Sequence, residues 1–143
     1  MTAADNHQQS RKQQILEAAV QLFSDQGYYK TTTAHVAKQV GVTQPYVYHF
    51  FESKEKLFIA VIEQTIAKIH QAFAAVEAPN HELAMKMGLA FEDLLQSNRN
   101  ELLLSMQSFT ISEPLIRQSV KDGFSGIYDT VREKFQKVGS ENP

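Results

Sequence analysis

Residues 32–51, TTAHVAKQVGVTQPYVYHFF, decide the fold. They read as two short helices joined by a tight turn at Gly41. The Thr32 hydroxyl suits an early backbone N–H and starts the first helix. Val36, Ala37 and Val40 form its buried stripe. Gly41 takes a positive φ at little cost, and Val42 fills the space between the helices. Thr43 caps the second helix, and Pro45 sits in its first turn, where a missing N–H costs little. Val47, with Phe50 or Phe51, faces inward, which leaves Gln44, Tyr46, Tyr48 and His49 outside. A crossing helix, a turn of set angle and a short polar helix are the parts of a helix-turn-helix. The outward side chains suit contact with nucleic acid better than core packing.

Outward from this stretch the pattern stays helical. Ser10, with Gln13 three places on, reads as a capping box after a frayed polar segment over residues 1–9. Ile15, Ala19, Leu22 and Phe23 follow at helical spacing, and Gly27 ends that helix. Ser53 opens a long fourth helix with Phe58, Ile62, Thr65, Ile66, Ile69, Phe73 and Val76 along one face. Ala78-Pro79-Asn80 breaks it, and Asn80 caps a fifth helix. Residues 97–100 form a turn, and a sixth short helix carries Leu102 to Phe109. The last helix starts at residues 112–114, with a kink or break expected at Gly123 and Gly126 and an end at Val138-Gly139. Nothing alternates with period two, so the fold class is all-α with about seven helices. Residues 9–69 are the expected DNA-binding part, its three-helix unit joined by the long fourth helix to a helical regulatory part over 70–143.

The 143 residues are 43% apolar, enough for a packed core, and carry no cysteine, which removes disulfides and thiolate metal sites. No apolar run reaches the ~18 residues of a membrane span, and the N-terminus lacks a signal peptide's apolar stretch, so a cytoplasmic location and no membrane partner are expected. The net charge is −2, but residues 1–56 hold six basic against five acidic groups and residues 57–143 eight against eleven. The asymmetry is mild, so one subunit would bind nucleic acid modestly and two would bind well.

From about Gln9 to Ile69 the chain resembles the TetR family of bacterial transcriptional regulators. The resemblance rests on ILEAAVQLFSDQGYYKTTTAHVAKQVGV (residues 15–42) followed by TQPYVYHFFESKEKLF (43–58). It implies that Thr32 and Thr33 touch phosphates, and that Gln44, Pro45 and Tyr46 meet base edges or the groove wall. Tyr48, His49 and Lys54 would reach backbone phosphates. Gln44 suits bidentate pairing with adenine. Many relatives carry Lys or Arg followed by Gly or Ala where this chain has Gln44-Pro45. The family resemblance further implies a double-stranded operator, a small-molecule effector, a homodimer and, most often, repression. The family's last two helices form its dimer seam, so that seam is expected to be missing from this chain, which ends at Pro143 and reads as truncated or as a shortened member.

Met85, Met87, Phe91, Met106, Phe109, Phe124 and Tyr128 are the candidates for lining an effector cavity, although a stripe of this kind is as often plain core. His70, His81-Glu82 and Glu92-Asp93 lack metal-ligand spacing and read as ordinary surface polarity. His35 reads as a solvated side chain. No activated nucleophile or paired catalytic carboxylate stands out, so neither enzyme activity nor a cofactor is expected. The alternative is a helical ligand- or protein-binding module that has kept the fold and lost DNA binding.

Overall fold

Two glycines in the left-handed region, Gly27 and Gly41, both with φ +83°, punctuate the first third of the chain. Each ends a helix where a residue with a Cβ would be strained. The Gly27 N–H donates to the Phe23 carbonyl, and the Gly41 and Val42 N–H groups donate to the Ala37 carbonyl. In the computed structural model, backbone is described for residues 3–141 and side chains for 10–139. Seven α-helices are present and no strand among the described residues: α1 Ala3–Gln26, α2 Thr33–Val40, α3 Gln44–Phe50, α4 Lys54–Ala74, α5 Asn80–Ser97, α6 Arg99–Gln107 and α7 Pro114–Glu141. A 3₁₀ turn, Ser108–Thr110, follows α6.

α4 is the central column. It buries Leu57, Phe58, Val61, Ile62, Thr65, Ile66 and Ile69, a stripe that turns steadily around the helix. α1 packs on its first half, and α5, α6 and α7 pack along it. At the junction with α1 the Phe58 ring meets Phe23 edge-on at 5.0 Å and Tyr28 at 5.1 Å. Lower down, Glu101 of α6 accepts from Lys68 at 2.8 Å, Thr65 at 3.2 Å and Asn98 at 3.1 Å, which ties α6 to α4.

Four expectations are corrected. Ser10 lies inside α1 and is not its N-cap, because residues 3–9 contain no helix breaker and continue the helix upstream. Asn80 is the first residue of α5, after Pro79, and makes no side-chain cap. α7 runs unbroken through Gly123, Gly126 and Gly139. The tail expected at 140–143 begins in helix, and residues 142–143 lie outside the described residues. The continuity of α7 has a packing reason: a Cβ on Gly123 would collide with the Ile66 side chain of α4. Close approach of the two helices there outweighs the ~1 kcal/mol that glycine costs a helix. Gly123→Ala should therefore destabilise the fold by about 1–2 kcal/mol despite alanine's better propensity. Urea unfolding followed by circular dichroism checks this, and a stabilised variant would remove the steric account.

Candidate nucleic-acid interface

The α2–α3 pair is built from local capping. Thr32 accepts from the His35 N–H at 3.1 Å, and His35 Nδ1 accepts from the Thr32 N–H at 3.3 Å. His35 thus closes a capping box in the place where Glu or Gln is usual, so its role is not obvious from the pattern. Thr43 caps α3 by accepting from the Tyr46 N–H. Val47 is wholly buried and seats α3, and the Tyr46 ring leans edge-on against Phe50 at 5.4 Å.

The structure brings most of the expected contact residues to one surface. Thr32, Gln44, Pro45, Tyr48 and His49 are exposed, and Tyr46 is half-buried. Thr33 departs from expectation. It is buried, and its hydroxyl lies 2.8 Å from Gln44 Nε2 and 3.0 Å from the Tyr48 hydroxyl. The Thr33 hydroxyl is thus engaged within the α2–α3 pair, and Thr32 carries the exposed hydroxyl at the start of α2.

Lys54, the first residue of α4, is also placed differently from expectation. Its ammonium donates to the Tyr28 carbonyl at 2.9 Å and to the Tyr29 carbonyl at 3.4 Å. It sits 4.3 Å from the centre of the Tyr28 ring. Burial, reinforced by the negative charges of Glu113 and Glu55, pushes the Tyr28 phenol up to about 12. The ring under the cation is therefore neutral at physiological pH. Lys54 fastens the α1–α2 link to α4. Lys54→Met should cost about 1 kcal/mol of stability and leave the slope of log affinity against log salt unchanged. A slope shallower by about one unit would return Lys54 to the phosphate contacts.

A second feature lies between the 3₁₀ turn and α7. A cleft of about 880 Å³ is lined by Phe109, Val120, Phe124 and Tyr128 together with the charged Arg117, Lys121 and Asp129. The Phe109 and Phe124 rings meet at 5.1 Å. Of the seven cavity candidates, Phe109, Phe124 and Tyr128 line this cleft, and Met85, Met87, Phe91 and Met106 do not. Met87 is buried in the core, Phe91 stacks on Phe73 of α4, and Met85 and Met106 are exposed away from it. Helical periodicity marks a face but not which neighbour it meets.

The cleft is hydrogen-bonded to the α1–α2 link. Ser112 lines it, and its N–H donates to the Tyr29 hydroxyl at 3.1 Å while the two hydroxyls lie 2.9 Å apart. The Tyr29 carbonyl is one of those held by Lys54. These residues stand 83 positions apart, and no local pattern announces the pairing. Elsewhere His70 pairs with Thr130 across α4 and α7 at 2.7 Å. Among the described residues no group of three His, Cys, Asp or Glu side chains could hold a metal ion, and no helix is long and apolar enough to cross a membrane.

Comparison with known proteins agrees with this geometry. The family model described as bacterial regulatory proteins, tetR family, matches residues 15–61. The HTH-type transcriptional activator FasR of Mycolicibacterium smegmatis is 26% identical over 125 residues, covering 85% of this chain and 57% of that protein. A Clostridium perfringens putative fatty acid metabolism regulator superposes with a TM-score of 0.79 at 21% identity, over 90% of this chain and 71% of the other. The transcriptional regulator FadR from Bacillus subtilis, solved in complex with stearoyl-CoA, gives a TM-score of 0.69 at 22% identity, over 82% and 65%. At these two identities the structural likeness is one of fold. The chain spans between about half and two thirds of the length of the curated relatives it matches first. Residues 15–61, with their helix-turn-helix geometry, thus match the tetR family of bacterial regulatory proteins, and most of the chain shares the all-α fold of these solved structures.

Proposed function

We propose that this chain is the DNA-binding part and a portion of the effector-sensing part of a transcription regulator that acts as a homodimer on a double-stranded operator. Residues 9–69 carry the DNA contact and residues 70–143 the sensing. The observation that carries the reading is the outward face of α3. Gln44, Pro45, Tyr48 and His49 stand exposed on a helix held in place by buried Val47. Exposed polar and aromatic groups on a short, capped, rigidly seated helix suit a major groove. Two such helices, one per subunit, must stand about 34–36 Å apart, or a multiple of this, to bind together.

The regulation proposed is repression relieved by an amphiphilic acyl effector. Phe109, Val120, Phe124 and Tyr128 suit an apolar chain, and Arg117 and Lys121 suit an anionic head. The names of the relatives support this class, since one was solved with stearoyl-CoA and another is a putative fatty acid metabolism regulator. FasR is named an activator, so likeness to it does not by itself carry the sign of regulation. The test is retention on duplex DNA as a function of salt, with and without stearoyl-CoA. Affinity should fall steeply with salt and drop when the acyl thioester is added. Binding with no salt dependence, or none at low salt, would overturn the reading.

A further inference from the structure

Gln44 is held by two hydroxyls, and the arrangement decides which end of its amide faces outward. Its Nε2 lies 2.8 Å from Thr33 Oγ1 and 3.3 Å from the Tyr48 hydroxyl, and those two oxygens lie 3.0 Å apart. Three polar atoms therefore meet pairwise. Counting protons fixes the orientation of the amide. With the nitrogen in the triangle, two amide protons and two hydroxyl protons serve three contacts, and one is left over. With the amide oxygen there instead, only the two hydroxyl protons remain, and one contact would set bare lone pairs against each other. Thr33 is buried and Tyr48 is 43% exposed. The spare proton belongs on Tyr48, where water or a phosphate can take it, because a spare proton on Thr33 would be buried without a partner.

We propose that the Thr33–Tyr48 hydroxyl pair fixes Gln44 as a hydrogen-bond acceptor, so that at one operator position this residue selects a base with an exocyclic amino group. In the major groove adenine offers N6–H₂ and cytosine N4–H₂, whereas guanine O6 and N7 and thymine O4 are acceptors. With the nitrogen end of the amide turned to the two hydroxyls, Gln44 Oε1 is the end that faces the groove, and it accepts from adenine or cytosine and is repelled by guanine and thymine. The bidentate adenine pairing expected from residue type needs Nε2 beside Oε1 at the base edge, and the hydroxyl pair draws Nε2 towards the protein. Thr33 is the positioning residue. It touches no DNA, yet it sets the polarity of the group that does. The inference rests on the proposed DNA-reading role of α3.

Selection from a randomised duplex pool at one fixed salt concentration tests it, using the parent chain, Gln44→Ala, Thr33→Val and Tyr48→Phe. Gln44→Ala identifies the position, because the preference there flattens. At that position the parent should favour adenine and cytosine together over guanine and thymine by about tenfold or more. Thr33→Val releases an amide N–H, and the profile should narrow to adenine alone. Tyr48→Phe, a change at an exposed ring that leaves folding intact, should narrow it in the same direction. A purely structural role for Thr33 would alter stability without altering base choice. A parent profile of adenine alone, guanine or thymine would overturn the proposal, as would variants whose profile matches the parent's. A parent that enriches no duplex at all would instead overturn the DNA-reading role itself, and the two failures are told apart by low-salt retention.

Discussion

Phe58→Ala should lower the unfolding free energy by about 3–5 kcal/mol, a third or more of the stability of an ordinary domain. Phe58 is fully buried, and its ring is met edge-on by both Phe23 and Tyr28. Those partners come from α1 and from the link that follows it, so the cavity opens where three segments meet. None of them can fill it freely. Phe23 is anchored in α1 beside a fully buried Ala19, and the Tyr28 carbonyl is held by Lys54. The consequence reaches the candidate interface, because Tyr28 is also the floor beneath the Lys54 ammonium. The melting temperature should fall by roughly 10–20 °C, and DNA affinity should fall with it even though Phe58 is fully buried and offers no surface to DNA. Phe58→Leu keeps most of the volume and should recover more than half of the loss. Urea unfolding of the three proteins decides the matter. A loss below about 1 kcal/mol for the alanine variant would mean that α1 and α4 collapse together and that the aromatic cluster does not set their spacing.

What the sequence made legible, and what it hid, divides by range. The caps at Thr32 and Thr43, the turn at Gly41 and the stripe on α4 are interactions between residues three or four apart, and a linear pattern records them. The exposure of Gln44 and Tyr48 follows from the same periodicity once Val47 is assigned inward. The start of α1 was hidden because Ser10 is an acceptable cap that the chain does not use, and nothing upstream forces a stop. The continuity of α7 was hidden because the benefit of Gly123 lies on another helix, at Ile66. The site was only half legible for the same reason. Residue type placed Gln44, Thr33 and Tyr48 near DNA, but their mutual bonding spans 11 and 15 positions and turns Thr33 from a contact into a brace. Lys54 reads as a phosphate ligand until its carbonyl partners, 25 and 26 positions away, are known. Met87 reads as a cavity residue until it is found buried and away from the cleft.

The longest-range of these contacts carries the second large prediction. Tyr29→Phe should uncouple the cleft from the DNA-binding surface. Tyr29 is 59% exposed, so removal of its hydroxyl leaves folding almost untouched. That hydroxyl nevertheless joins Ser112, a residue lining the cleft, to a backbone whose carbonyl is gripped by the first residue of α4. An effector that wedges Phe109 from Phe124 must displace the segment between the 3₁₀ turn and α7, and Ser112 lies in that segment. The parent should therefore show a coupling of about 1–3 kcal/mol between acyl thioester and operator, or roughly 5- to 150-fold in affinity. In Tyr29→Phe the ratio of operator affinities with and without stearoyl-CoA should fall below about threefold. Tyr29 does not line the cleft, so direct titration should find stearoyl-CoA bound about as tightly as by the parent in the absence of DNA. Linkage supplies a second check, since operator DNA should then lose its effect on acyl-thioester affinity by the same factor. Ser112→Ala keeps the backbone N–H that donates to Tyr29 and should show an intermediate coupling. An undiminished ratio in Tyr29→Phe would place the signal on the α4–α7 contact instead, at Gly123 against Ile66, where a shift of α7 bears directly on the helix that carries Lys54.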